Sequence, residues 1–417
     1  MARKFLSGLS IALVLGASLA LSACGGGGKS NKLEIFSWWT VGGEGEGLKA
    51  LFTIYQKQYP SVQIVNATVS GGAGTNAKAV LATRLTGGKP PDAFQLHAGL
   101  EVEKYDPEKF LQPLDSLYTS EGLDKAFPKD LLSLLQYKGH YLGVPVNIHR
   151  ANILWYNKKV FADNKLEPPT TWDEYFKVAK ALKAKKIIPL AFGSKDGYEA
   201  GHTFETVLAS VLGADGYKCL WTGATKWTDP KVADALNVLK KMLADVNTDN
   251  SALTWDGALQ QYFITDKAAM MIMGDWVNGW FMSQNYTGYG WECVPGPKIY
   301  DGLSDSFALP KGAPDQTNAM NWLKVCGSQA GQAAFNPLKG SIPARTDVDP
   351  SLFNPYLQSA MKDWTSEPIV PSVIHGAAAK EKWVTVYKDI LSSFATKGDV
   401  AAAQKALDQA ATDNLAM

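Results

Sequence analysis

Residues 32–69 read KLEIFSWWTVGGEGEGLKALFTIYQKQYPSVQIVNATV, and the rhythm of this stretch decides the fold class. Leu33, Ile35 and Phe36 mark a short apolar strand that ends at Trp38 and Trp39. After the Gly-rich loop at 42–47 the period changes: Leu48, Leu51, Phe52 and Tyr55 recur at helical spacing until Pro60 stops the run. Residues 62–69 alternate as a second strand. Beyond them, 77–85 reads as a helix closed by Gly87 and Gly88, and 92–96 as a strand that carries His97 at its end. This β-α-β-α-β order predicts a parallel sheet with helices on both faces. Ligands of open α/β sheets gather at the carboxyl ends of strands, where Trp38, Trp39 and His97 fall.

The remaining chain continues the alternation. Residues 136–146 read as a hairpin turning at Lys138-Gly139, followed by a strand at 151–156. Thr171 and Glu174 form a capping box ahead of a helix bearing Phe176, Ala179 and Leu182. A buried strand is expected at 187–192. Asp229 caps a helix with Pro230 in its first position and a stripe of Val232, Leu236, Leu239 and Leu243. Residues 268–273 form an apolar strand ending in Gly274-Asp275-Trp276, and 304–309 another. Residues 319–325 lie in or near a helix, and 380–394 and 400–411 are helical. There is no repeat and no long linker.

The amino terminus carries a separate signal. Arg3 and Lys4 precede an apolar run at 6–21, broken only by Gly and Ser. That run is short of the ~20 apolar residues a membrane helix needs. It ends in Leu21-Ser22-Ala23-Cys24, which resembles the lipobox of bacterial lipoproteins. A signal peptide is therefore expected over 1–23, with cleavage before Cys24 and diacylation of that cysteine. Residues 24–31 would serve as a tether, since GGGGKSN has nothing to bury. The chain is thus expected to be exported and held by its lipid outside the cytoplasmic membrane or in the periplasm.

The formal charge of +1 argues against nucleic acid as a partner, because phosphate neutralisation needs a basic surface. More telling are 13 Trp and 16 Tyr in a chain with only 19% charged residues, since carbohydrate sites use flat aromatic surfaces. Cys219, Cys293 and Cys326 fit no metal spacing. Export permits a disulfide, but three thiols leave one over, and the sequence does not choose the pair.

Several segments together are similar to ABC-transporter extracellular sugar-binding proteins. These are WYN at 155–157, PPTTWDEY at 168–175, DKAAMMIMGDW at 266–276, LPKGA at 309–313 and NPLKGSIPAR at 336–345. The third usually reads GKAAM in the family; here Thr265-Asp266 replaces the glycine. The segments QLHAG at 95–99 and VPVNIHR at 144–150 resemble glucose/galactose-binding members from thermophilic bacteria. The resemblance implies a periplasmic-binding-protein type II fold: two α/β lobes, a ligand cleft and a multi-strand hinge. One lobe would comprise 32–147 plus 296–340, the other 148–295 plus 341–417. It also implies a monomer that works without a cofactor, catalyses nothing, and delivers a sugar to the transmembrane subunits of an ABC permease.

A pyranose offers apolar C–H faces and a belt of hydroxyls, so its site needs aromatic planes and fixed polar groups. Trp38 and Trp39 are adjacent at a strand end and cannot both face the core. Trp276 follows a strand and Trp255 starts a helix, whereas Trp172, Trp322 and Trp383 lie within helices and are expected in the core. The polar candidates are Glu44 in the Gly-rich loop, Gln95 and His97, Asn147 beside the first crossover, Asp275, Asp305, Lys339 and His375. The 42–47 loop does not have the GxGxxG spacing, and its two carboxylates would repel a pyrophosphate. The alternatives are the same fold holding a di- or oligosaccharide, and a secreted glycosidase using paired carboxyls. No GxSxG elbow and no HExxH pair is present.

Overall fold

The computed structural model describes residues 31–40 and 42–415. The expected signal peptide, Cys24 and nearly all of the tether lie outside these residues. The strand Lys32–Phe36 pairs in parallel with Gln63–Asn66 on one side and Ala93–His97 on the other. Beyond Ala93–His97 the sheet departs from the expected all-parallel arrangement. Asp305–Ala308 joins antiparallel, and Val144–Pro145 joins antiparallel to that strand, giving a mixed five-stranded sheet. The reason lies in connectivity: these two strands return from distant chain segments rather than from adjoining β-α units. Their register sets Asp305 directly opposite His97.

A second sheet has the order Tyr289–Cys293, Ile153–Asn157, Ala268–Met273 and Ile188–Leu190. Ala268–Met273 is buried at every position, which explains its unbroken apolar sequence. Segments passing between the two sheets pair with each other. His149–Arg150 lies antiparallel to Tyr300–Leu303, which runs parallel to Ile369–Pro371. Ile148 and Ile342 bridge beside them.

The Gly-rich stretch is not a loop. The helix runs Gly42–Gln58, so Glu44 sits in its first turn. The glycines there serve close packing. A Cβ on Gly43 would lie 2.4 Å from the Leu338 carbonyl oxygen, and one on Gly279 would lie 2.4 Å from that of Lys339. Three helices, Gly42–Gln58, Trp276–Ser283 and Gln329–Lys339, close against one another there. Helices also occupy Glu199–Trp221, which kinks at Gly213 (φ 77°, ψ 168°), and Pro355–Ser366; the sequence reading left both unassigned. Trp322 and Trp383 are fully buried, as expected; Trp172, at the first position of its helix, is only partly buried at the core margin. Cys219, Cys293 and Cys326 are free thiols.

Candidate ligand-binding cleft

The carboxyl ends of the first sheet open on a cleft of about 370 Å³. Its lining includes Trp38, Glu44, the turn at 70–74, His97, Asp305, Lys195, Tyr198, Trp255, Trp276, Trp280 and His375. Of the residues expected at a site, Trp38, Trp39, Glu44, His97, Trp255, Trp276, Asp305, Lys339 and His375 line this space. Gln95, Asn147 and Asp275 do not: they stand behind it and hold the residues that do.

The adjacent tryptophans, which lie in the bend just past the strand end at Phe36, divide between core and cleft. Trp39 is 1% exposed and packs 4.9 Å from Phe335 and 5.7 Å from Phe307, although part of it lines the cleft. Trp38 turns the other way. Its ring lies over Gly74, where a Cβ would come within 2.8 Å, and meets His97 edge-on at 5.1 Å. Its backbone N–H donates to Gln95 Oε1 at 3.2 Å.

Asp305 is the polar centre. Its Oδ1 accepts from Gln95 Nε2 at 2.8 Å and lies 3.5 Å from His97 Nε2. Its Oδ2 accepts from Asn147 Nδ2 at 2.9 Å and stands 3.2 Å from His149 Nε2. Burial alone would raise the pKa of this carboxyl, yet it is held well below the ordinary carboxylate range. The bond from His149 and the positive fields of Lys339, His149 and His97 do this. His149 is buried and its second nitrogen bonds Asp275. Burial and Lys339 disfavour its charge, but Asp275 and Asp305 overcome both and raise its pKa. Lys339 closes the helix Gln329–Lys339 and reaches Glu44 at 2.8 Å.

His97 has its own backing: Nδ1 lies 2.8 Å from Glu101 Oε2, which also accepts from Lys78 Nζ at 2.6 Å. Trp276 also lines the cleft, surrounded by His149, His202 and His375 at 5.5, 5.6 and 5.3 Å. Four of the chain's five histidines thus converge here. His202, Glu205 and His375 each bring a ligand atom within 4.8 Å of the others. However, the Ser372 hydroxyl bonds both Glu205 and His375 at 2.8 Å, so those two are engaged with each other rather than splayed around an ion.

A sequence profile described as "Bacterial extracellular solute-binding protein" matches residues 39–333. The chain belongs to that family. Among its relatives is an uncharacterized ABC transporter extracellular-binding protein of Pyrococcus horikoshii, 37% identical over 96% of this chain and 94% of that protein. A probable sugar-binding periplasmic protein of Rhizobium meliloti is 31% identical over 90% of this chain and 91% of its own. The fold is also that of the bacterial solute receptor AcbH, described as having an exclusive preference for b-D-galactopyranose. The TM-score is 0.81 at 19% identity, covering 92% of this chain and 98% of that one. The architecture is therefore the two-lobed type II binding-protein fold, and the family binds solutes rather than transforming them.

Sequence reasoning missed His149, Tyr198, Lys195, Trp280 and the Lys78–Glu101 pair. His149 was within reach, because it stands two residues from Asn147 in an extended segment and so shares its face. Lys78 and Glu101 carry no local signal: they meet only through the packing of separate helices.

Proposed function

We propose that this protein is the sugar-binding component of an ABC importer and that its ligand is a monosaccharide such as glucose or galactose. The observation that carries the reading is Asp305, a buried carboxylate ringed by two histidines and two amides, at the foot of a cleft flanked by Trp38 and Trp276. A carboxylate so held accepts hydroxyl hydrogens, and the indole faces cover the apolar side of a pyranose. The cleft volume of about 370 Å³ falls at the small end of the ~300–1,000 Å³ usual for small-molecule sites, which favours one ring over several. The name of the Rhizobium relative points to sugars as well.

In this reading the lobes are 32–147 plus 296–340 and 148–295 plus 341–417, and the paired segments at 148–150, 300–303 and 342 act as the hinge. Sugar bonded by both lobes stabilises the closed form by its differential affinity. The closed monomer then docks on the permease. Acylated Cys24 and its glycine tether keep the protein near that partner; two acyl chains make the anchor durable, where one would bind only marginally.

A second reading, a di- or oligosaccharide, draws on Trp255 and Trp280, which extend the aromatic lining beyond one ring. A thermal-shift panel separates the two, since ligand raises apparent stability by mass action. Monosaccharides should raise the melting temperature at micromolar to millimolar concentration. A shift given by oligosaccharides alone would reverse the assignment.

A further inference from the structure

Glu205 belongs to the helix Glu199–Trp221, is fully buried, and does not touch the cleft. It is nevertheless wired to it. Glu205 Oε1 is 2.8 Å from Ser372 Oγ, and Ser372 Oγ is 2.8 Å from His375 Nδ1. Glu205 Oε2 accepts from the backbone N–H groups of Val373 and Ile374 at 2.8 and 2.9 Å. His375 itself lines the cleft, with Nδ1 turned inward to this chain of bonds and Nε2 on the opposite edge of the ring.

A serine hydroxyl has one hydrogen to donate, so such a chain must be polarised in one direction throughout. With Glu205 ionised, Ser372 donates to it and accepts from His375 Nδ1–H, leaving a lone pair on Nε2. With Glu205 protonated, the carboxylic acid donates to Ser372, Ser372 donates to Nδ1, and the ring hydrogen sits on Nε2. The two states differ by one proton. It arrives from cleft water at Nε2, the Nδ1 hydrogen passes to Ser372 Oγ, and the Ser372 hydrogen passes to Glu205 Oε1. Three bonds to hydrogen form as two break, and the incoming proton balances the third.

We propose that Glu205, acting through the Ser372 hydroxyl, is a positioning residue that determines whether His375 offers the cleft a hydrogen-bond acceptor or a donor at Nε2. The relay rests on the sugar reading only in that a ligand hydroxyl would be the group sensing this choice. The surroundings place the changeover in an accessible range. Burial pushes Glu205 above the ordinary carboxylate range against the bonds it accepts from Ile374, Ser372 and Val373. The other groups facing it are His202 on its own helix at 3.8 Å, Asp301 on the strand Tyr300–Leu303, Tyr217 and Tyr387. Burial and the Glu205 charge hold Asp301 well above the usual carboxylate range, and His202 stays neutral because burial lowers it to about 3. His375 is held well below the ordinary imidazole range by burial and by His97, His202, Lys78 and His149, so its ring is neutral on both sides of the change.

The test uses the full chain, labelled with 15N, and long-range 1H–15N spectra in which His375 is assigned by comparison with His375→Gln. Wild type without ligand should carry its ring hydrogen on Nε2 at pH 6 and on Nδ1 at pH 10. In Glu205→Gln the amide oxygen keeps the two backbone bonds and the NH2 donates to Ser372, so the hydrogen should stay on Nε2 at both pH values. Ser372→Ala should abolish the pH response, and it carries the test if Glu205→Gln proves unfolded by circular dichroism. One tautomer at both pH values in wild type, or a wild-type switch in either variant, overturns the proposal. Calorimetric titration with D-galactose and D-glucose at the same pH values should show a change of roughly fivefold in wild type that Glu205→Gln lacks. If wild type binds neither sugar, the sugar reading fails while the spectra still judge the relay.

Discussion

His149 bridges two carboxylates: one ring nitrogen bonds Asp275, and the other lies 3.2 Å from Asp305 Oδ2. Both acids come from segments far from His149 in sequence, so the contact exists only once both sheets are assembled. It explains how a buried imidazole keeps a raised pKa, and why Asp305 stays ionised at the foot of the cleft. The resulting charge pattern is fixed before any ligand arrives.

Replacing Asp305 with Asn keeps the shape and removes the charge. Sugar affinity should fall by about 100-fold, in line with ~1.5–3 kcal/mol for a hydrogen bond to a charged group. The His149 titration, followed by NMR, should also move to lower pH. Because the folded pKa of His149 is raised, its stabilisation is full below its unfolded value of ~6.5 and is lost as pH rises through the folded value. In Asp305→Asn that pH-dependent contribution should shrink. Unchanged calorimetric affinity would remove Asp305 from the site.

The two neighbouring tryptophans should respond oppositely. Trp38→Ala should weaken sugar binding about tenfold, the scale of an aromatic contact of ~1–1.5 kcal/mol, with a modest change in melting temperature. Trp39→Ala should instead cost about 3–5 kcal/mol of stability, as for other large-to-small core changes. Paired denaturation and titration curves check both, and equal effects at the two positions would contradict the division of roles.

Gly279→Ala sets a methyl group 2.4 Å from the Lys339 carbonyl oxygen and 2.6 Å from that of Leu338. The atoms met are backbone, so a side-chain rotation cannot relieve the contact. A loss of about 2–3 kcal/mol is expected, the upper range for overpacking. Urea unfolding measures it; a variant as stable as wild type would show that the three-helix junction is loosely packed.

Glu199 is buried with one oxygen lacking a partner among the described residues, and burial pushes its pKa up to about 8. The folded chain then holds a proton between ~4.5 and 8 that the unfolded chain releases. Stability from this group therefore falls as pH rises through that window, by up to ~1.4 kcal/mol per pH unit. Glu199→Gln should gain on wild type in melting temperature at pH 8 and differ little at pH 5. A constant difference across this range would rule out a buried neutral carboxyl.

Local pattern made the first sheet's parallel core, the Thr171 capping box and the strand Ala268–Met273 legible, because each is set by residues close in sequence. It misread the glycines at 42–47, among which Gly43 packs on Gly279 and Leu338 and Gly47 on Phe335, far along the chain. The helix Glu199–Trp221 escaped for a related reason: it is buried on nearly every side in its first half, so no apolar stripe marks it. The tryptophans and histidines of the cleft were visible as unusual residues at strand ends. The acids behind them, Glu101 and Glu205, were not, since charge burial depends on partners that only the fold supplies.

Isothermal titration of the mature chain with D-glucose, D-galactose and their disaccharides tests the central claim most directly. The cleft described above predicts saturable binding of a monosaccharide with one site per chain, tighter than any disaccharide. Absence of binding to every sugar, or saturation by disaccharides alone, would contradict it.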